Sequence, residues 1–215
     1  MARLHLTLFG GFHARLEPGS AIALPTRKSQ ALLAYLALPV GRAHPRDKLA
    51  ALLWGGMREE SARASLRQAL FAIRRALGDT AALQQDGDTL ALGPGAVEVD
   101  AVAFERLVRG GTPTALAQAG AVYQGDLLSG FAVDEAPFEE WLLGERERLR
   151  ELAVEALAKL LAHERKAGAS EAAMHTTLKL LALDPLQEAV HRALMRQYAE
   201  SGRRGAALRQ YQQCV

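Results

Sequence analysis

The sequence contains a single cysteine, Cys214, so no internal disulfide can form, which fits a reducing compartment. It also lacks any run near the roughly 20 apolar residues that a membrane helix requires. Its start, Met1-Ala2-Arg3-Leu4-His5, soon alternates like a strand instead of opening an apolar signal segment. A cytoplasmic protein without a membrane partner is the expectation. The compact signatures of catalysis are missing too: there is no phosphate-cradling glycine loop with lysine, no nucleophile elbow and no HExxH. His163, His175 and His191 are separated by 12 and 16 residues, not by the about 3 or 4 that put two ligands on one helix face. They read as surface or interhelical residues. No catalytic residue, metal or cofactor is expected, and the chain reads as a non-enzyme.

What is present is apolar material and an uneven charge distribution. Apolar residues make up 49% of the 215, enough for two sizeable cores. The net charge of +2 hides a division: residues 1–100 carry 12 Lys/Arg against 9 Asp/Glu, and residues 101–215 carry 14 against 15. Within Arg42–Arg75 there are eight basic residues to three acidic. Such clustering on consecutive helices is the electrostatic footprint of a nucleic-acid binder.

Alternation of Leu4, Leu6 and Leu8, then of Phe12, Ala14 and Leu16 around Gly10-Gly11, predicts two short strands, and Ile22 and Leu24 suggest a third. Thr26 can cap a helix to about Leu38, stopped by Pro39 and Gly41. A second helix has Pro45 in its first turn, Leu49, Leu52, Leu53 and Trp54 on its apolar side, and Gly55-Gly56 at its end. A third begins near Ser61 and runs to Leu77 before Gly78. The Asp86-Gly87 pair between Leu83 and Leu92 then signals a two-residue hairpin. Sheet, three helices and hairpin is the order of a winged helix-turn-helix, whose third helix enters the major groove. The expected class is therefore α+β, mostly α: a winged-helix DNA-binding domain over residues 1–99, then an all-α, tetratricopeptide-like domain over 100–215.

The case for the second domain is a period. Ala167-Gly168 and Ser201-Gly202 lie 34 positions apart, and the same offset pairs Leu152 with Leu186, Leu160 with Leu194, Leu161 with Met195 and Ala173 with Ala207. That is the tetratricopeptide period, with Asp184-Pro185 between the two units. A long amphipathic stretch, about 138–166, precedes the first Gly turn, and its Glu145-Arg146-Glu147-Arg148 run reads as a solvated face.

The third helix carries the candidate site. On a helical wheel Ala62, Leu66, Ala69, Leu70, Ile73, Ala76 and Leu77 share one arc, while Arg63, Arg67, Gln68, Phe71, Arg74 and Arg75 occupy the opposite one. Arginine can fork onto guanine, glutamine can pair with adenine, and arginine can also neutralise phosphate. Phe71 is the odd member: it either contacts a thymine methyl or sugar, or packs against the hairpin, the latter being preferred. Arg27 and Lys28 open the first helix and Arg46 the second, where helix N-termini meet phosphates. The wing turn, Asp86-Gly87-Asp88, is acidic, so its tip is not expected to insert into the minor groove.

Leu32-Leu33-Ala34-Tyr35-Leu36, Arg46-Asp47-Lys48-Leu49 through Leu53-Trp54, and Ala62-Arg63 through Leu66-Arg67 to Arg74-Arg75-Ala76-Leu77 resemble the OmpR-like winged helix of SARP-type bacterial activators. Val99-Asp100 with Phe104 and Leu107 looks like the junction into the bacterial transcriptional activator domain. Tyr123 to Phe131, then Trp141, Glu145-Arg146 and Leu149, is similar to that domain's most recognisable stretch. The resemblance implies a transcriptional activator that binds tandem promoter repeats of double-stranded DNA as a homo-oligomer and recruits RNA polymerase. Related modules also stand in front of signalling ATPase or cyclase segments. The chain stops at Val215 with helical periodicity still running, as a piece of a longer protein would. The rival reading is such a sensor or interaction module, with a winged helix that docks protein. A docking helix would expose more apolar residues than Phe71 alone.

Overall fold

The computed structural model describes residues 2–78 and 80–212. They form two compact units, Met1–Arg106 with Val122–Leu149, and Leu107–Ala121 with Arg150–Val215.

The first unit opens with β1 (Arg3–Thr7) and β2 (His13–Glu17), an antiparallel pair, followed by β3 (Ser20–Ala21). The third strand lies just before Ile22 and Leu24. Pairing of Leu16 with Ser20 closes the β2–β3 connection tightly, and Gly19 at φ 100° makes that turn. Leu24 is then left to bury itself beyond the strand. Alternation places Leu4 and Leu6 inward, with Leu8 continuing the buried row.

α1 (Arg27–Leu36) starts at the expected cap: the Thr26 hydroxyl accepts from the Ser29 N–H, and the Ser29 hydroxyl accepts from the Thr26 N–H. Every residue from Ala31 to Leu36 is buried, so this helix is the centre of the unit. β4 (His44–Pro45) leads into α2 (Arg46–Trp54), so Pro45 caps the second helix from outside its first turn. α3 (Glu59–Leu77) starts two residues before Ser61, with Glu59 and Glu60 in the first turn, where carboxylates complement the helix dipole.

β5 (Leu83–Asp86) and β6 (Thr89–Leu92) form the hairpin. Asp86 pairs with Thr89, so the two loop residues are Gly87 and Asp88, one position beyond the Asp-Gly pair itself. Gly87 takes φ 53° at the first loop position, as a tight hairpin requires. β7 (Val97–Val99), a strand the periodicity did not single out, runs parallel to β1. The sheets are ordered β3-β2-β1-β7 and β4-β6-β5.

β7 delivers Asp100, first residue of α4 (Asp100–Gly110). Its carboxylate accepts from the backbone N–H groups of Leu8 and Ala101 through Oδ1 at 2.9 and 2.7 Å, and from Phe9 through Oδ2 at 3.0 Å. Burial pushes its pKa up and these donors pull it back. Residues 122–149 add aromatics to the same unit: Tyr123 lies against Phe9 and Phe104, and Phe131, Phe138 and Trp141 form a chain to Tyr35. Residue 99/100 therefore marks a change from strand to helix, whereas the packing of this unit continues through later segments.

The second unit contains most of α5 (Pro113–Val122), the C-terminal part of α6 (Ala136–Lys166), and α7 (Ser170–Leu183), α8 (Glu188–Glu200) and α9 (Arg204–Gln212). Leu116, Ala156, Leu157, Leu160, Leu161, Ala173 and Leu180 form a core across α5, α6 and α7. The 34-residue period reaches the backbone hydrogen bonds. Ala167 N–H to His163 C=O recurs as Ser201 to Gln197, Gly168 to Arg165 as Gly202 to Ala199, Ala169 to Glu164 as Arg203 to Tyr198, and Ala173 to Ala169 as Ala207 to Arg203. Gly168 and Gly202 have φ 70° and 74°, the left-handed residue that closes each helix. Leu160 and Leu194 are both buried, but Leu152 and Leu186 are not equivalent: Leu186 is 91% exposed in the turn after Asp184-Pro185. Among the described residues no helix is long and apolar enough to cross a membrane.

Candidate nucleic-acid interface

α3 follows α2 after four residues, Gly55-Gly56-Met57-Arg58, the short Gly-bearing connection of a helix-turn-helix. Its amphipathic division is realised along its whole length. Ala62, Leu66, Ala69, Leu70, Ile73 and Leu77 are buried, with Ala76 half-buried, and Arg63, Arg67, Gln68, Phe71, Arg74 and Arg75 are all exposed. The buried row fixes the helix against α1 and α2, so the opposite row is presented on a rigid support.

The exposed residues differ in what they already touch. Arg63 forks onto Asp47, with Nε to Oδ1 at 2.9 Å and Nη2 to Oδ2 at 3.1 Å, and also meets Glu59 at 2.7 Å. The hydrogen bond from Arg63 holds the Asp47 carboxyl below the usual carboxylate range, and the same bond raises the arginine. Arg74 donates to the wing residue Gln85 at 2.7 Å. Arg74 and Arg75 also occupy the last turn of α3, where cations complement the helix dipole. Arg67 has no ion-pair partner among the described residues. It lines a recess with Arg46, Asp47, Arg63, Leu66 and Asp88.

Phe71 does not pack against the hairpin, the arrangement preferred from the sequence: it is 68% exposed. It lies on the arc of α3 opposite the apolar face, which leucine, isoleucine and alanine already fill.

The three residues placed at helix starts are engaged. Lys28 meets Glu135 at 2.5 Å and lies over Trp54, and Arg27 donates to the Ala132 carbonyl and lies over Phe131. Both therefore tie α1 to residues 131–135 of the same unit. Arg46 donates its backbone N–H to the Asp88 carbonyl at 3.0 Å, and its guanidinium stands 4.0 Å from the Asp88 carboxylate. The acidic wing turn thus neutralises part of α2. Asp47 and Gln85 are the residues that sequence reasoning missed. They act across 16 and 11 positions of chain, a separation with no periodic signal.

His163 and His175 are exposed, and His191 is buried between Pro185 C=O at 2.7 Å and Gln210 Nε2 at 2.6 Å. Among the described residues no group of three His, Cys, Asp or Glu could hold a metal ion. Of the Glu145–Arg148 run, Arg148 is shared by Glu105 and Glu145, but Arg146 turns inward and donates to the Leu127 and Leu128 carbonyls. That run is only partly a solvated face, because the buried residues Leu127 and Leu128 present carbonyls that need a donor.

No curated protein matches the chain. Among solved structures, Mycobacterium tuberculosis EmbR, in complex with a low affinity phosphopeptide, superposes with a TM-score of 0.74 at 22% identity. The match covers 100% of this chain and 59% of EmbR, so the chain spans under two thirds of that protein, and the likeness is one of fold. The model of the bacterial transcriptional activator domain matches residues 99–215, more than half of the chain. The chain therefore belongs to the bacterial transcriptional activator domain family, with a winged helix preceding that domain.

Proposed function

We propose that the protein binds double-stranded DNA in a sequence-specific way, through the exposed face of α3 laid in the major groove. The observation that carries this reading is that face itself: four arginines and a glutamine, presented opposite a filled apolar row on a helix joined to α2 by a four-residue turn. Arg67 and Gln68 are the base-reading candidates, while Arg63, Arg74 and Arg75 suit phosphate or groove-edge contacts. Arg46 belongs to the margin of this surface, and Arg27 and Lys28 to its structural support.

On this reading the protein is a cytoplasmic regulator that works at promoters, and the helical repeat half is available to RNA polymerase. The face is short, and a single winged helix neutralises only a handful of phosphates, so useful affinity calls for two or more copies side by side. Direct repeats spaced by about one helical turn would put both copies on one side of the duplex. Mobility shift of the whole chain on mixed-sequence duplex across a salt series tests the reading. Binding that weakens linearly in log affinity against log salt supports it, and no binding at low salt contradicts it.

A further inference from the structure

Phe71 is the one large apolar side chain on the cationic face of α3, and among the described residues it is left 68% exposed. Its neighbours on the helix surface, one turn away on either side, are Arg67 and Gln68 before it and Arg74 and Arg75 after it, all exposed. A phenyl ring at the centre of four exposed polar groups is poorly placed as a protein-docking patch, because a docking partner would have to desolvate the surrounding guanidiniums. The same surroundings suit a nucleic-acid groove, where guanidiniums meet phosphates and guanine edges and the base edges offer an apolar group one counterpart. In the major groove that counterpart is the thymine C5-methyl.

We infer that Phe71 is a specificity-determining residue that reads a thymine methyl group within the half-site, flanked by the polar contacts of Arg67, Gln68, Arg74 and Arg75. This rests on the DNA reading proposed above and sharpens it. Selectivity at that position comes from burial of a methyl that cytosine lacks, and hydrogen bonding to the base edge plays no part in it.

The test separates the two claims. A duplex is enriched from a randomised library with the whole chain, and each thymine in it is replaced in turn by deoxyuridine, which keeps the hydrogen-bonding edge and loses only the methyl. At one or two positions the substitution should weaken the wild-type chain about fourfold, the worth of one buried methyl group. Phe71→Ala should bind the thymine and deoxyuridine duplexes equally, and Phe71→Leu should keep part of the discrimination. Because Phe71 is exposed, Phe71→Ala leaves the core intact, which circular dichroism and thermal unfolding verify. Equal binding of thymine and deoxyuridine duplexes by the wild-type chain at every position overturns the inference while leaving the DNA reading standing. So does discrimination that survives in Phe71→Ala. Failure to enrich or bind any duplex overturns both.

Discussion

At the residue scale, the α3 face holds its own competitors. Asp47 grips Arg63 with the bidentate geometry that a phosphate would also use, so DNA would have to displace a carboxylate before Arg63 could contribute. Asp47→Asn should therefore raise affinity for duplex DNA and steepen the salt slope by about one unit, measured by anisotropy titration at several salt concentrations. Arg67→Ala, by contrast, should lose about 1–3 kcal/mol selectively if the side chain reads a base, or weaken all duplexes alike if it meets a phosphate. A second residue-scale expectation concerns pH. His44 is buried against Tyr35 with its Nε2 unpartnered, and burial, with Arg42 and Lys48 nearby, lowers its pKa. The unfolded chain then takes up a proton below about pH 6.5 where the folded chain does not. The stability this provides is complete above that pH and is lost as pH falls through the depressed folded value. Urea unfolding at pH 7.5 and 5.5 should show the loss, and His44→Phe should flatten it.

At the element scale, each helix is fixed by its buried row and by the residue that closes it. Leu160 is buried in the α5–α6–α7 core, and Leu160→Ala should cost about 2–5 kcal/mol in chemical denaturation. Gly168→Ala and Gly202→Ala should each cost about 1–2 kcal/mol, because both positions require φ near 70° with a side chain attached. The elements that were legible in the sequence are those whose signal is local. The Thr26 cap, the two faces of α3, the Gly-terminated helices and the 34-residue spacing each follow from residues within a few turns of one another. The elements that were not legible depend on partners far along the chain. β7 is only three residues long and exists because β1 offers it an edge, and Asp100 caps backbone donors more than 90 residues away. The engagement of Lys28 by Glu135 spans 107 positions, so a cation at a helix start looked available for phosphate when packing had already claimed it. Phe71 differs for another reason: a lone aromatic on a polar arc was expected to find cover on the hairpin, and it is left 68% exposed.

At the scale of the whole molecule, a winged helix in the first half is followed by a helix-pair array in the second. The proposal of side-by-side copies predicts a dependence on DNA geometry. Affinity and stoichiometry measured on one half-site, on two half-sites one turn apart, and on two separated by an added half-turn should differ, with a gain of roughly 10²–10⁴ in avidity only for the second. Equal binding to all three would rule cooperative assembly out and would leave single-site binding untouched. Whether α3 carries the DNA contact is decided by comparing the wild-type chain with the combined variant Arg67→Ala, Arg74→Ala, Arg75→Ala across a salt series on one selected duplex. All three side chains are exposed, so the fold should persist. Binding should weaken at every salt concentration, with a salt slope shallower by about two to three units. Unchanged affinity and an unchanged slope would contradict a DNA contact through α3.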